Sequence, residues 1–376
     1  MRILVDGNIS AARGIFDPHG EVIQMDGRQI RRDHLATVDA LIIRSVTRVD
    51  AELLNHTPVR FVGTTTIGTD HLDIAWLEKS GITWASAPGC NADSAAQYTL
   101  AMIWLACERL GFELSGRRVG IVGKGNVGSR VMRLLQILGA HTVANDPPLS
   151  DHGEPGLVSL EEVLRQEIVS LHVPLIPRGP YPTHHLLNAR RLAQLRPGAL
   201  LVNTARGDVV DGPALKQRLF SGQLAAALDV WPHEPGVEAE LVEATTVATP
   251  HVAGYSDDGK YNGARQIYRA FCYWSGHAER LLPPVPGGTR RLRIAPQRDA
   301  LSQALEAACF VGRHDQAMRD LAQLPPAGRP QEFDRLRREY PARRDFYAWL
   351  LEGVVPEEEK RLAQLGFSIA KTPADK

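Results

Sequence analysis

Three polar segments follow apolar runs in the second half of the chain, and each carries a residue suited to alcohol or carbonyl chemistry. They are Asn203-Thr204-Ala205-Arg206-Gly207, Asp229-Val230-Trp231-Pro232-His233-Glu234-Pro235 and Thr249-Pro250-His251-Val252-Ala253-Gly254-Tyr255. Oxidising an alcohol by hydride transfer needs a base for the hydroxyl proton. An imidazole serves near neutral pH and returns the proton in the reverse direction. His251 is the candidate base. A carboxylate beside it would orient the ring and favour its protonated form, and Glu234 is the candidate partner. Arg206 could hold a substrate carboxylate bidentately and polarise the adjacent carbonyl or alkoxide. Asp229 is a candidate contact on the nicotinamide side of a dinucleotide. His233 competes with His251, but a chain neighbour is badly placed to be oriented by Glu234. The cofactor supplies the hydride acceptor in such chemistry, so no metal is called for.

These residues can converge only if the runs before them form one sheet. Val119–Val122, Thr142–Ala144, Ile168–Leu171, Leu200–Asn203, Ala225–Asp229 and Thr246–Ala248 read as strands. Val131–Leu138 and Leu160–Leu164 are the clearer helices between them. This pattern predicts an open, doubly wound parallel sheet, whose strand carboxyl ends share one ligand-binding rim. An earlier series has the same character, with strands at Arg2–Val5, Ala40–Ile43 and Val59–Gly63 and helices at Val49–Leu54 and Leu72–Glu78. Tyr98–Leu110 is an apolar helix expected at a junction, and Ser256–Tyr273 a long helix returning to the first domain. Prolines and glycines between Pro283 and Gly288 mark a boundary. The expected domains are therefore 1–95 completed by 257–280, 96–256, and 281–376. In the last, Leu301, Ala304, Leu305 and Ala308 have the spacing of a buried helical stripe. Phe333–Tyr340 and Glu357–Leu365 are further helix candidates, making the tail a small α/β or α-rich domain.

The strongest local motif is Gly123-Lys124-Gly125-Asn126-Val127-Gly128, between a strand and a helix. In that context each glycine has its own reason. Gly123 permits the tight turn, Gly125 removes a side chain where pyrophosphate must approach, and Gly128 lets helix and sheet pack closely. The helix amides at Asn126 and Val127 then favour the pyrophosphate. Asp146 closes the next strand, where a carboxylate accepts from adenosine ribose hydroxyls and repels the extra phosphate of NADP. Pro147 and Pro148 follow, not an arginine, so NAD is expected.

Composition narrows the classes. Of 376 residues, 43 are Lys or Arg and 43 are Asp or Glu, so the net charge of zero argues against a general nucleic-acid binder. Hydrophobic residues at 44% and charged residues at 23% suit a globular chain rather than a disordered one. The 4 cysteines form no CxxC pair, which leaves a zinc knuckle or redox dithiol without local support. The opening MRILVDG has no signal-like character, and the apolar run Thr99–Cys107 is about half a membrane span. A cytoplasmic protein without membrane association is expected.

GKGNVG, NTARG, LDVW…HEP and TPHVAG stand together in one order and spacing, and with them the chain resembles the D-specific 2-hydroxyacid dehydrogenases. The resemblance implies catalytic roles for Arg206, Glu234 and His251. It also implies two Rossmann-like parallel-sheet domains flanking a cleft, plus a small C-terminal accessory and dimerisation domain. Arg44-Ser45-Val46-Thr47, the run Phe61–His71, Ala87-Pro88-Gly89-Cys90-Asn91-Ala92 and the long tail narrow it to a branch acting on 4-phospho-D-erythronate, in the route to pyridoxal 5'-phosphate. That branch implies a homodimer, substrate contacts at Ser45, Thr66 and Tyr255, a cofactor contact at Gly254, and a 2-oxoacid that recycles bound NADH. The substrate phosphate needs a cationic pocket, for which Arg44 and the tail residues Arg343 and Arg344 are candidates. Two departures stand out. Asp6-Gly7-Asn8-Ile9-Ser10 lacks the expected acidic residue and proline, and Leu175 replaces a more polar residue near the cofactor, where its backbone still serves. The rival readings are a 3-phosphoglycerate or other D-2-hydroxyacid dehydrogenase, and an NAD-sensing corepressor on the same fold.

Overall fold

A computed structural model describes residues 1–9 and 12–370; Ser10 lies outside them. The described residues form two compact units, the first from 1–91 with 256–288 and the second from 92–255 with 289–370.

The first unit carries a five-stranded sheet of β1 (Arg2–Asp6), β2 (Glu21–Met25), β3 (Ala40–Ile43), β4 (Phe61–Thr64) and β5 (Thr83–Ala85), in the order β2-β1-β3-β4-β5. Every pairing is parallel. β3 and β4 are buried along their whole length, as expected for strands covered on both faces. The helix Asp257–Ser275 packs on β4. Its approach is close, since a Cβ on Gly63 would lie 2.3 Å from Ile267 and one on Gly263 2.5 Å from the Thr65 carbonyl. The strand order reverses between β1 and β3, the place where open parallel sheets form a crevice. Asp6 ends β1 there and Arg44 follows β3.

The second unit carries a six-stranded parallel sheet: β6 (Arg118–Val122), β7 (His141–Asn145), β8 (Ile168–Leu171), β9 (Ala199–Asn203), β10 (Leu224–Leu228) and β11 (Val247–Ala248). Its order, β11-β10-β9-β8-β6-β7, reverses between β6 and β8. The turn after β6 is the glycine motif. The helix Ala92–Leu110, buried along most of its length, packs against the helix Asn126–Ile137.

The tail adds β12 (Arg290–Arg293), β13 (Trp349–Glu352) and β14 (Ser368–Ile369) as a small parallel sheet, with helices Ala300–Cys309, Val311–Ala322, Arg329–Arg338 and Pro356–Leu365. It shares its interior with the dinucleotide sheet. Leu301, Ala304, Leu305 and Ala308 are buried in one cluster with Tyr98, Met102 and Val119. Among the described residues no helix is long and apolar enough to cross a membrane.

Candidate active site

The glycine motif bears out its stereochemistry position by position. Gly123 has φ of +88°, and a Cβ there would stand 2.7 Å from the His172 carbonyl. A Cβ on Gly128 would fall 1.9 Å from the Gly123 carbonyl, so helix and turn touch. Gly125 differs: a Cβ there would meet nothing within 4 Å. The side it leaves open is the start of the helix Asn126–Ile137, whose first turn carries no side-chain cap. Amides at such an end are ready donors for an anion. Asp146 braces the motif, its Oδ2 accepting from the Lys124 N–H at 2.8 Å while Oδ1 accepts from Leu149 N–H at 3.1 Å. Leu175 is partly exposed beyond β8. These residues fit a dinucleotide held by backbone amides.

Three loops at the carboxyl ends of β9, β10 and β11 build the chemical part. His251 Nδ1–H donates to Glu234 Oε2 at 2.6 Å, which leaves Nε2 to exchange a proton. Glu234 is itself fixed, since Oε1 accepts from the Trp231 N–H at 2.8 Å. His233 is exposed and Glu234 bonds His251 instead, so the chain neighbour is not the dyad histidine. His251 has φ of +56°, a left-handed conformation that a non-glycine residue keeps only when its surroundings hold it. Asp229, 1% exposed, does much of that holding. Its Oδ1 accepts from the Thr249 hydroxyl at 2.6 Å and Val252 N–H at 2.9 Å, and its Oδ2 from Ala253 N–H at 2.9 Å. In this structure Asp229 is thus a strut of the histidine loop. Gly254 lies inside the turn closed by Tyr255 N–H to the Val252 carbonyl at 2.8 Å.

Arg206 is exposed on the first loop, its Nη1 donating to the Ala205 carbonyl at 2.7 Å. Asn203 shapes that loop, donating to the Arg206 carbonyl at 2.9 Å and accepting from Ala205 N–H at 3.0 Å. Two residues not singled out from sequence stitch the loops together. Gly207 runs so close to the second loop that a Cβ would stand 2.0 Å from the Trp231 carbonyl. Trp231, buried, donates from Nε1 to the Thr249 carbonyl at 2.9 Å. A glycine directly after a candidate substrate-binding arginine was the available signal for the first.

In the first unit Ser45 is exposed in the turn after β3, and Thr66 follows β4. The Thr66 hydroxyl donates to the Gly68 carbonyl at 3.1 Å and lies 2.8 Å from that of Thr64, which meets His71 Nε2 at 2.9 Å. Burial lowers the His71 pKa, with Asp70 opposing in part. Arg44 forks onto the fully buried Asp6, Nε to Oδ2 at 2.8 Å and Nη2 to Oδ1 at 3.2 Å. One edge of its guanidinium is therefore spent within the crevice between β1 and β3.

The tail arginines are a correction to the sequence-based expectation. Arg343 and Arg344 are 2% and 4% exposed. Arg343 gives Nε to the Tyr255 carbonyl at 2.8 Å and Nη2 to those of Ala253 at 2.7 Å and Ser94 at 3.1 Å. Arg344 is buried with its guanidinium 6.0 Å from the Tyr347 ring. Neither is presented to an anion, because both are folded into the interior. The Tyr255 hydroxyl accepts from another tail residue, Arg337 Nη2, at 3.2 Å.

Residues 91–253 match the family model described as D-isomer specific 2-hydroxyacid dehydrogenase, NAD binding domain, so NAD is the cofactor of this unit. Residues 281–366 match a domain of unknown function (DUF3410). The chain is 43% identical to the erythronate-4-phosphate dehydrogenase of Hahella chejuensis over 92% of its length and 93% of that protein. It is 44% identical to that of Stutzerimonas stutzeri over 97% and 99%. Among solved structures, the TT0316 protein of Thermus thermophilus superposes with a TM-score of 0.62 at 28% identity, over 74% of this chain and 98% of that one. With the dinucleotide turn and the Glu234–His251 pair in place, this chain belongs to the erythronate-4-phosphate dehydrogenase family of D-isomer specific 2-hydroxyacid dehydrogenases.

Proposed function

We propose that the protein oxidises 4-phospho-D-erythronate at C2 with NAD, giving (R)-3-hydroxy-2-oxo-4-phosphooxybutanoate for pyridoxal 5'-phosphate biosynthesis. The observation that carries this reading is the Glu234–His251 pair at 2.6 Å, on loops stitched to the one bearing Arg206. NAD, when bound, supplies the acceptor for the C2 hydride. The chain's own residues do the rest. His251 Nε2 takes the C2 hydroxyl proton, and Glu234 orients the ring and stabilises the imidazolium so formed. Arg206 holds the C1 carboxylate and polarises the developing carbonyl. Amides at Gly125, Asn126, Val127 and Gly128 hold the pyrophosphate, and Asp146 the adenosine ribose. Leu175, Asp229 and Gly254 complete the cofactor contacts, and Ser45, Thr66, Tyr255 and Arg44 contact substrate. The names of the curated relatives favour a phosphorylated hydroxyacid over the unphosphorylated ones. A 2-oxoacid recycles bound NADH, and a cytoplasmic homodimer built partly by the tail fits the same reading.

The test is a comparative oxidation. Purified protein receives 4-phospho-D-erythronate or 3-phospho-D-glycerate, with 2-oxoglutarate to recycle NADH, and each 2-oxoacid product is quantified by mass spectrometry. A strong preference for phosphoerythronate is expected. Preference for phosphoglycerate would keep the hydride chemistry and overturn the substrate. Turnover of neither would favour the corepressor reading.

A further inference from the structure

The tail places one side chain directly behind the catalytic loop. Arg343 donates to two carbonyls of that loop, Ala253 at 2.7 Å and Tyr255 at 2.8 Å, and to Ser94 in the helix Ala92–Leu110 at 3.1 Å. Its guanidinium lies 5.0 Å from the Tyr98 ring centroid. Asp345, two residues on, accepts from the Ser94 hydroxyl at 2.8 Å. The same loop is also held by Asp229, which accepts the Val252 and Ala253 N–H groups at 2.9 Å each. The segment after His251 is thus suspended between a carboxylate that takes its N–H groups and a guanidinium that takes its carbonyls. His251 itself is one residue from the first grip and two from the second, and keeps a left-handed backbone, φ +56°. A buried arginine is a costly way to fill space, and an apolar side chain of similar size would serve packing as well. What the planar fork adds is fixed geometry at two carbonyls two residues apart.

We infer that Arg343 is a positioning residue for the dehydrogenase reaction: it fixes the Ala253 and Tyr255 carbonyls and through them the backbone that aims the His251 ring. The C-terminal domain then contributes to catalysis in its own chain, through the loop rather than by touching substrate. The inference rests on the reading of His251 as the proton acceptor.

The test uses the full-length protein with Arg343→Lys and Arg343→Met. Lysine keeps the charge and stem but loses the fork. Amide exchange is followed by mass spectrometry without substrate, comparing residues 249–256 with the tail helices 300–322. Exchange in 249–256 should speed up by about tenfold or more while 300–322 stays at the wild-type rate. The kcat should fall on the order of tenfold to a hundredfold, the size expected for a small misplacement of a reacting group. Lysine should retain more activity than methionine. Wild-type exchange and kcat in a folded variant would overturn the inference. So would a parallel rise in both regions, which would make Arg343 a general stabiliser of the tail. If methionine prevents folding, the lysine variant decides. Turnover of no phosphorylated hydroxyacid by the wild type would remove the proposed reaction, while the exchange comparison would still decide whether Arg343 orders the loop.

Discussion

His251 depends on contacts made at both ends of its loop. Its Nδ1–H is committed to Glu234 at 2.6 Å, and the residues on either side of it are tied to Asp229 through Thr249 and Val252. The ring is therefore held before any substrate arrives, which suits the proposed role of His251 as proton acceptor. Replacing it with alanine should lower kcat by about two to four orders of magnitude, the usual worth of a positioned base. NAD affinity should stay near wild type, because the dinucleotide turn after β6 is untouched. Glu234→Gln is expected to be milder, since an amide oxygen can still accept from Nδ1–H but cannot balance an imidazolium. Product formation at saturating substrate, with NAD binding followed by fluorescence titration, checks both. A His251→Ala protein that keeps wild-type kcat would transfer the base role to another residue, with His233 the first to examine.

At the scale of elements, the turn between β6 and the helix Asn126–Ile137 separates packing from binding within six residues. A Cβ on Gly128 would sit 1.9 Å from the Gly123 carbonyl, whereas one on Gly125 would enter open space. Gly128→Ala should therefore lower the melting temperature or prevent folding. Gly125→Ala should melt like the wild type and bind NAD at least about tenfold more weakly, because the methyl occupies the approach of the pyrophosphate. Calorimetry and NAD titration on the same two proteins separate the effects, and equal loss of stability in both would undo the distinction. This turn was legible in the sequence because steric demands there leave no choice of residue. β6, β8 and β9 were legible too, as largely apolar runs that only a doubly covered sheet can bury. β2 (EVIQM) and β12 (RRLR) were not, for edge strands keep polar and charged residues and lose the apolar signature. The proposed catalytic trio of Arg206, Glu234 and His251 was readable from chemistry and resemblance, but the loop contacts of Gly207 and Trp231 depend on backbone approach. Arg343 shows a similar limit: its charge is visible in the sequence, whereas its burial depends on how the tail docks.

For the whole molecule, the docking of tail to dinucleotide sheet should make stability depend on pH. His314, on the helix Val311–Ala322, pairs through Nδ1 with the buried Tyr98 hydroxyl at 2.8 Å and stacks on Tyr340 with 5.0 Å between ring centroids. Burial, with Arg343 and Arg313 adding repulsion, pushes its pKa down to about 3 from an ordinary value of 6.5. Between those limits the unfolded chain binds a proton that the folded chain refuses, so the folded state gains stability as pH rises. The gain is complete above the ordinary value and is lost progressively as pH falls toward 3. Each proton in that window is worth about 1.4 kcal/mol per pH unit. His172, desolvated beside the dinucleotide turn and likewise pushed down to about 3, adds a slope of the same sign, and titrating carboxylates add others. The informative quantity is thus the difference between two chains. His314→Gln keeps a polar partner for Tyr98 that can donate or accept, and removes the titration. Urea unfolding at pH 7.5 and 5.5 should show the wild type losing about 1 kcal/mol more than the variant, most of one proton over the part of that range below the ordinary histidine value. Equal losses would mean that His314 is protonated in the folded chain, or that the tail has already released at the lower pH. Amide exchange in the helix Ala92–Leu110 tells these apart, because only a released tail would expose the helix around Tyr98.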